Sequence, residues 1–282
     1  MAFLFYASFN IHSGVYVKAL CKGDTDKRVV CLTFDDGPDP EYTPLVLDIL
    51  KKYRVKAAFF CIGEKMREYP DVMERIMQEG HHIGNHTDKH SWKYPFLSQE
   101  KMTDDLLYAE DSLLRYGGPL LIFRPPFGVT NPTIARLVAK CGYTVIGWSI
   151  RSFDTCGEAE DKVFRRIVRQ IEPGAVILLH DRMPGCASLV DRLLEHLKEK
   201  GYECVDYGAY DPNVKVNYPE PGLRVAEAIM RGEVEKGVLI CGTGIGISLA
   251  ANKVPGIRAA VCSEPYSAKL TVEHNNANII AM

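Results

Sequence analysis

The sequence predicts an α/β protein in which strands alternate with helices around a parallel sheet or barrel. Short apolar runs rich in β-branched residues alternate with segments whose apolar residues recur every three or four positions. Ionisable residues follow several of the predicted strands, as they do at the carboxyl ends of parallel strands in barrels. These two patterns together predict consecutive βα units rather than an all-α or an all-β protein.

In the first part of the chain, each strand or helix is predicted from the spacing of its apolar residues. The first strand, VVCLTF, is apolar and ends at an Asp-Asp-Gly-Pro turn, and the next segment has Leu45, Val46, Ile49 and Leu50 at helical spacing. The predicted strands cover 29–34, 56–62, a short segment around Ile83, 120–123, 144–148 and 175–179. The predicted helices cover 44–53, 70–79, 100–114, 131–140, 162–171 and 189–200.

After Gly201 predicted strands and helices continue to alternate, but this region also contains a glycine-rich stretch. The sequence predicts strands at 203–207, 237–240, 257–262 and 278–282, and a helix at 222–230. A glycine-rich stretch, CGTGIG, directly follows the second of these strands. We therefore expect a boundary near 205–210 and two domains, at 1–206 and 207–282.

Length and composition indicate a soluble globular chain. The 282 residues correspond to about two domains at roughly 150 residues per domain. There are 34 Lys and Arg against 36 Asp and Glu, without long runs of one sign, so nothing predicts a nucleic-acid partner. The nine cysteines are scattered without a CxxC pair, which predicts reduced thiols rather than a disulfide framework.

The N-terminus bears on localisation. Residues 1–9 are apolar but lack a basic flank and a cleavage site, so they make a poor signal peptide. They predict either a strand that covers the core or the end of a lost membrane anchor. We therefore expect a cytoplasmic protein from the sequence as given, and an exported or membrane-anchored one if its N-terminus is truncated.

A metal site is predicted from two histidines and two aspartates. His86 and His90 are four residues apart, so on a helical turn both imidazoles would face one cation. Asp35 and Asp36 are neighbours on a strand-to-loop turn, where one carboxylate can bind the metal while the other faces a substrate. Two histidines and one carboxylate leave coordination positions open for water and substrate.

Five motifs, in order, make the region of about residues 29–205 resemble a polysaccharide deacetylase domain of the NodB-homology type, carbohydrate esterase family 4. They are TFDDGP at 33–38, HTDKH at 86–90, RPPFG at 124–128, the segment 148–154, and LLH at 178–180. The resemblance implies a distorted, incomplete (β/α) barrel. It also implies hydrolytic removal of N- or O-acetyl groups from a sugar polymer or oligomer, so the expected partner is an acetylated carbohydrate.

The resemblance assigns roles to most of these residues. Asp36, His86 and His90 would bind a divalent metal, with Zn²⁺ as the predicted ion. Asp35 would be the general base that takes the proton of the attacking water. Arg124 would pair with Asp35 and orient it.

The remaining roles concern the leaving group and the substrate. His180 would be the general acid, oriented and kept cationic by Asp154. The backbone near Phe127 would stabilise the oxyanion, while Leu178 and Trp148 would line the substrate pocket. The fourth motif departs from the family, because Arg151 stands where an Asp is common and Thr155 where a Trp is common. This departure affects the predicted shape of the substrate groove and leaves the acid–base residues in place.

The segment of about residues 203–282 resembles a second family, the B-type ribose-5-phosphate isomerases. The resemblance is carried by VLICGTGIG at 238–246, AANKVPGIRAA at 250–260 and EHNNAN at 273–278. It implies that Cys241 shuttles the proton of an aldose–ketose isomerisation and that His274 assists ring opening with Asn275 beside it. The glycine-rich loop would bind the sugar through Gly242, Thr243, Gly244 and Gly246. The opening strand and later helices of that family have no counterpart here, so we expect a partial, Rossmann-like segment.

Three functions therefore remain open from the sequence. The first is a metal-dependent deacetylase with a C-terminal appendage, and the second is a sugar-phosphate isomerase with an N-terminal carrier domain. The third is a non-catalytic protein that binds carbohydrate or serves in assembly. The sequence favours the first, because a full set of catalytic residue types follows the predicted strands while the isomerase segment is incomplete.

Overall fold

The computed structural model describes residues 2–116, 121–202, 219–239, 245–262 and 265–281. The chain divides into two compact units, Met1–Cys204 and Val205–Met282. Among the described helices, none combines the length and the apolar character needed to cross a membrane.

The first unit is built on a curled, seven-stranded parallel sheet. Its strands are β1 (Val30–Asp35), β2 (Ala58–Cys61), β3 (His82–Asn85), β4 (Ile122–Phe123), β5 (Thr144–Val145), β6 (Ile150–Arg151) and β7 (Ala175–His180). Their order is β5-β4-β3-β2-β1-β7-β6, and every pair is parallel. The sheet forms a half-barrel with β5 and β6 at its two edges, which confirms the predicted α/β class and incomplete barrel.

Eight helices accompany this sheet in the described part of the first unit. They are α1 (Ala2–Phe9), α2 (Tyr42–Tyr53), α3 (Gly63–Glu68), α4 (Pro70–Gln78), α5 (Gln99–Leu114), α6 (Pro132–Cys141), α7 (Glu160–Val168) and α8 (Cys186–Glu199). Local chemistry sets their ends, as α6 illustrates. The Asn131 side chain accepts a hydrogen bond from the backbone N–H of Ile134, Pro132 occupies the first turn, and Gly142 ends the helix in the left-handed region.

The helices bury one face against the sheet. The predicted apolar face of α8 is buried, with Leu189, Leu193, Leu194 and Leu197 each at most 5% exposed. They belong to the same core as Val46, Leu47 and Leu50 of α2 and the residues of β1 and β7 that face the helices, such as Leu32, Phe34, Ile177 and Leu179. At roughly 1.5–3 kcal/mol per buried leucine, this packing contributes a large part of the stability of the half-barrel.

Several local predictions were wrong or incomplete. Residues 2–9 form a helix with exposed aromatic side chains, and not a strand that covers the core. The strand expected at 144–148 is only two residues long, because the chain leaves the sheet after Val145 to reach β6. Helix α3 and strand β6 were not predicted, since six and two residues are too short to show a period.

The second unit has a small parallel sheet of its own. Its strands are β8 (Gly237–Leu239), β9 (Ala259–Val261) and β10 (Ile279–Ala281), in the order β8-β10-β9. Its described helices are α9 (Pro219–Met230), α10 (Ile245–Ala251) and α11 (Pro265–Asn275). Leu239, Ile247 and Ile279 are buried in its core. The strand predicted at 203–207 lies outside the described residues.

His81 gives the first unit a stability that depends on pH. Its side chain is buried, its Nδ1 accepts a hydrogen bond from the backbone N–H of Ala57 at 3.2 Å, and its ring contacts Phe59 edge-on. Burial, together with the charge of Lys56, lowers the pKa of His81 to about 3. The neutral ring therefore stabilises the fold fully above the unfolded-state pKa near 6.5, and this stability is lost as the pH falls towards 3.

We expect a His81→Leu variant to lose this part of the acid sensitivity. Below pH 6.5 the native protein should lose up to about 1.4 kcal/mol of unfolding free energy per pH unit through this residue, and the variant should not. Urea unfolding measured at intervals between pH 7 and pH 4 tests the prediction. Equal slopes in both proteins would show that His81 is protonated without cost.

Candidate active site

The carboxyl ends of the central strands bring distant residues together. Asp35, the last residue of β1, is the register partner of His180, the last residue of β7. His86 directly follows β3 and Arg124 directly follows β4, so all four side chains belong to one edge of the sheet. This arrangement is the one expected for parallel strands, whose carboxyl ends meet at one side.

Asp36, His86 and His90 form a compact group of possible metal ligands. Asp36 Oδ1 lies 3.4 Å from Nε2 of His86 and 3.4 Å from Nε2 of His90, and one donor atom from each residue lies within 4.8 Å of the others. Nδ1 of His86 lies 2.6 Å from the Arg124 carbonyl oxygen. Because a carbonyl only accepts, this bond places the proton on Nδ1 and leaves Nε2 free to bind a metal ion.

The protonation states of this group suit a cation. Burial opposes ionisation of Asp36, but His86, with His90 and His180, outweighs it and holds the pKa of this carboxyl well below its usual range. Burial, followed by the charge of His86, lowers the pKa of His90 to about 3. An ionised carboxylate and a neutral imidazole are the forms that bind divalent metals, so the donor set fits such an ion.

Asp35 is fixed by a buried arginine. Nη1 of Arg124 donates to Asp35 Oδ1 at 2.6 Å and to Thr33 Oγ1 at 2.9 Å, while Nη2 donates to the Gly147 carbonyl at 2.8 Å. The guanidinium carbon lies 4.1 Å from the centre of the Phe60 ring, and the side chain of Arg124 is fully buried. This network holds one oxygen of Asp35 and leaves the other, Oδ2, 3.7 Å from His86 Nε2.

His180 is held by Asp154. Nδ1 of His180 donates to Asp154 Oδ1 at 2.8 Å, and the backbone N–H of His180 donates to Oδ2 of the same carboxylate at 2.8 Å. Ser152 also donates to Asp154 Oδ1, at 2.8 Å. Burial favours the neutral ring, but the bond to Asp154 outweighs it and raises the pKa of His180. The Nε2 atom is left to face the site, 3.9 Å from Asp36 Oδ2.

The local backbone differs from the helical turn predicted for the two histidines. Residues 86–90 form an irregular loop, so His86 and His90 do not converge through helical spacing. The loop turns because Thr87 and His90 adopt left-handed backbone angles, with φ of 69° and 46°. Asp36 and Phe127 also have positive φ, at 70° and 60°. Such conformations cost about 1–3 kcal/mol each and concentrate at functional sites.

One cavity of about 380 Å³ is lined by Asp35, Asp36, His86, His90 and His180. All three predicted substrate-contacting residues line it, and Phe127 is half exposed, with its ring 4.8 Å from that of His90. The predicted three are Phe127, Leu178 and Trp148. Other lining residues were not predicted to contact substrate, although two of them, Lys89 and Phe153, lie within the motif segments. The others are Ile62, Lys65, Cys156 and Arg182. Lys89 and Arg182 could have been found from the sequence, because Lys89 is adjacent to His90 and Arg182 lies two residues after His180.

The predicted isomerase residues are described only in part. Cys241, Gly242, Thr243 and Gly244 lie outside the described residues. Gly246 lies in α10, and His274 and Asn275 form the exposed end of α11. Their roles stay predictions.

Comparison with known families gives two matches along the chain. A family model described as polysaccharide deacetylase matches residues 22–146, and one described as ribose/galactose isomerase matches residues 184–282. A peptidoglycan-N-acetylglucosamine deacetylase of Bacillus cereus is 34% identical over 186 residues, which cover 64% of this chain and 86% of the relative. The peptidoglycan-N-acetylmuramic acid deacetylase PdaA of Bacillus subtilis is 32% identical over 188 residues, covering 64% and 70%.

Solved structures give the same picture of the first unit. The crystal structure of a peptidoglycan N-acetylglucosamine deacetylase superposes with a TM-score of 0.63 at 31% identity, covering 71% of this chain and 95% of the other. A CE4 family pseudoenzyme from Bacillus anthracis also matches, with a TM-score of 0.60 at 28% identity and 65% coverage of each chain. The fold alone therefore does not distinguish an active member from an inactive one, and the site residues must decide.

Proposed function

This chain belongs to the polysaccharide deacetylase family, and on that basis we propose that it is a metal-dependent hydrolase of N-acetyl groups on peptidoglycan amino sugars. The supporting observation is the single cavity that contains Asp35, the Asp36–His86–His90 group and His180. An inactive relative could lose any of these side chains, whereas this chain has all of them in contact. The glycan is proposed from the names of the relatives.

The reaction that this site supports is hydrolysis of an acetamide. Water adds to the acetyl carbonyl carbon, the C–N bond breaks, and acetate and a free amine are formed. A divalent cation held by Asp36, His86 and His90 would polarise the carbonyl and acidify water. Zn²⁺ is our proposed ion, since two imidazoles and a carboxylate are a frequent zinc donor set.

The residues of the chain handle the two proton transfers. Asp35 is anchored through Oδ1 to Arg124, so its Oδ2 is the oxygen that would accept the proton of water. His180 is anchored through Nδ1 to Asp154, so its Nε2 would donate a proton to the departing nitrogen. The two groups are register partners on adjacent strands, which supports a base and an acid that would act on the same bound acetyl group.

Acetate release tests this function directly. The full chain is stripped of metal with a chelator, reloaded with Zn²⁺, and assayed on peptidoglycan fragments, chitooligosaccharides and O-acetylated xylan. We expect acetate from the N-acetylated substrates only, and only after reloading. Acetate from the O-acetylated xylan alone would overturn the amide assignment, and no acetate from any substrate would favour a non-catalytic role.

Variants of His180 and Asp154 test the general acid. His180→Ala is expected to lower turnover by about 10²–10⁴-fold while bound metal is retained, because the leaving amine needs a proton. Asp154→Asn should have a smaller effect and should lower the pKa of His180, since the bond to Asp154 contributes most to raising it. In the native enzyme, activity should fall as the pH rises through the pKa of His180. In Asp154→Asn the same fall should occur at a lower pH, and kcat/KM measured as a function of pH tests this. Loss of metal in His180→Ala would instead make His180 a ligand.

The second candidate function is sugar-phosphate isomerisation through the C-terminal segment. It is favoured by the match of residues 184–282 to the ribose/galactose isomerase model. A coupled assay with ribose 5-phosphate on the full chain tests it, with Cys241→Ser as the matched variant. Turnover that disappears in Cys241→Ser would make the protein bifunctional, and absence of turnover would leave the deacetylase as the better-supported function.

A further inference from the structure

The cavity of the proposed deacetylase carries more positive charge than its catalytic chemistry requires. Four basic side chains line it, Lys65, Lys89, Arg151 and Arg182, against the two carboxylates Asp35 and Asp36. The chain as a whole has a net charge of −2, so this excess is local.

Both acidic residues already have basic partners. Asp35 is bonded to the buried Arg124, and Arg182 Nε donates to Asp36 Oδ2 at 2.8 Å. Lys65 Nζ donates to the backbone carbonyl of Asp36 at 2.7 Å. Both carboxylates are therefore already paired with other cations and do not offset the charge of Arg151.

Arg151 is the cation of this wall best placed to bind a ligand. It forms no ion pair within the described part of the chain, and its side chain is exposed. Its guanidinium carbon lies 4.8 Å from the centre of the Phe153 ring and 5.5 Å from that of Trp148. These cation–π contacts fix the position of the group while its N–H donors remain available.

The position of Arg151 also indicates which part of a bound sugar would carry the negatively charged group. Arg151 ends β6 and is the register partner of Leu178 on β7, and both side chains line the cavity. Leu178 is one of the residues predicted to line the substrate pocket, and the cavity it lines also contains Asp35 and His180, the proposed base and acid. A group bound by Arg151 would therefore belong to the same sugar as the acetyl group that is removed, or to its immediate neighbour.

We infer that Arg151 recognises a carboxylate on the substrate, so that the enzyme selects acidic amino sugars over neutral ones. A planar guanidinium with unused donors binds a carboxylate through paired, charge-assisted hydrogen bonds. This inference rests on the proposed function, because it concerns the substrate of the same site. It distinguishes among N-acetylated glycans, which the deacetylase chemistry alone does not.

A pair of matched glycans tests the inference. One probe is a peptide-free glycan fragment that contains N-acetylmuramic acid with free lactyl carboxylates, and the other is the same fragment with these carboxylates converted to amides. We expect the native enzyme to have a kcat/KM about 10- to 100-fold higher on the acidic probe. Most of the difference should lie in KM, and it should shrink as salt is added, because the cation is exposed.

Substitutions then locate the effect. Arg151→Gln should lower kcat/KM much more on the acidic probe than on the amide probe, so that the preference between them is lost, whereas Arg151→Lys should retain part of the preference. Arg165→Gln, which removes an exposed charge on α7 outside the cavity, is the control and should keep the native preference.

The possible failures can be told apart. Equal kcat/KM of the native enzyme on both probes would overturn the inference and leave the deacetylase function standing. An equal loss on both probes in Arg151→Gln would also overturn it, by making Arg151 a structural residue. No acetate from either probe in the metal-loaded enzyme would overturn the proposed function itself.

Discussion

Asp35→Asn is expected to lower deacetylase turnover by about 10²–10⁴-fold while the protein still binds metal. The amide has nearly the shape of the carboxylate and can still accept the hydrogen bond that Arg124 gives to Asp35 Oδ1. It cannot take a proton from water. Metal content by elemental analysis and acetate release on the same sample measure the two parts of the prediction.

The same substitution affects stability, and the experiment must separate this from catalysis. Arg124 is fully buried, so removing the charge of Asp35 leaves its guanidinium without a counter-charge, which can cost about 3–5 kcal/mol. Turnover is therefore expressed per metal-loaded, folded protein. Asp26→Asn, an exposed change outside the cavity, is the control. Native turnover in folded Asp35→Asn would show that another group is the base.

Removal of any one ligand of the proposed metal site is expected to reduce bound metal. Asp36→Ala, His86→Ala and His90→Ala each delete one of the three donors of this group. Because loss of a residue that merely supports a ligand costs about 10–100-fold in affinity, loss of a ligand should cost more. Equilibrium dialysis against Zn²⁺, followed by an acetate assay, should show parallel losses of metal and activity.

His82→Ala is the control for this series. His82 is an exposed histidine of β3 and lies outside the cavity, so its loss should leave metal binding unchanged. Excess zinc should partly restore activity in the alanine variant that loses the least zinc affinity, because a weakened site can still be filled at a high zinc concentration. Full occupancy of all three alanine variants at native zinc concentrations would remove the proposed site.

The fold could be predicted from the sequence where the pattern was long enough to show a period. Strands such as β1 and β7 and helices such as α5 and α8 were found close to their observed bounds. Shorter elements were missed, as with α3 and β6, because two to six residues do not define a repeat. The exposed helix α1 was missed for another reason. Its residues are almost all apolar, so neither alternation nor an amphipathic face marks its conformation.

The sequence identified the residues of the candidate site but not their arrangement in space. The order of motifs identified Asp36, His86 and His90, yet the expected helical turn is absent and a loop with left-handed residues aims the two imidazoles instead. The tautomer of His86, with its proton on Nδ1, depends on the Arg124 carbonyl, 38 residues away in the chain. No local sequence pattern encodes such a contact.

By itself, the sequence determined the alternation of strands and helices and the placement of ionisable residues after strand ends. These properties follow from local periodicity, which each segment carries regardless of its neighbours. Only the tertiary structure decided that Asp35 and His180 are register partners, and that Arg151 stands over Trp148 and Phe153 in the same cavity. The physical reason is that strand order and register depend on how all the segments pack together, and a parallel sheet brings together residues far apart in the chain.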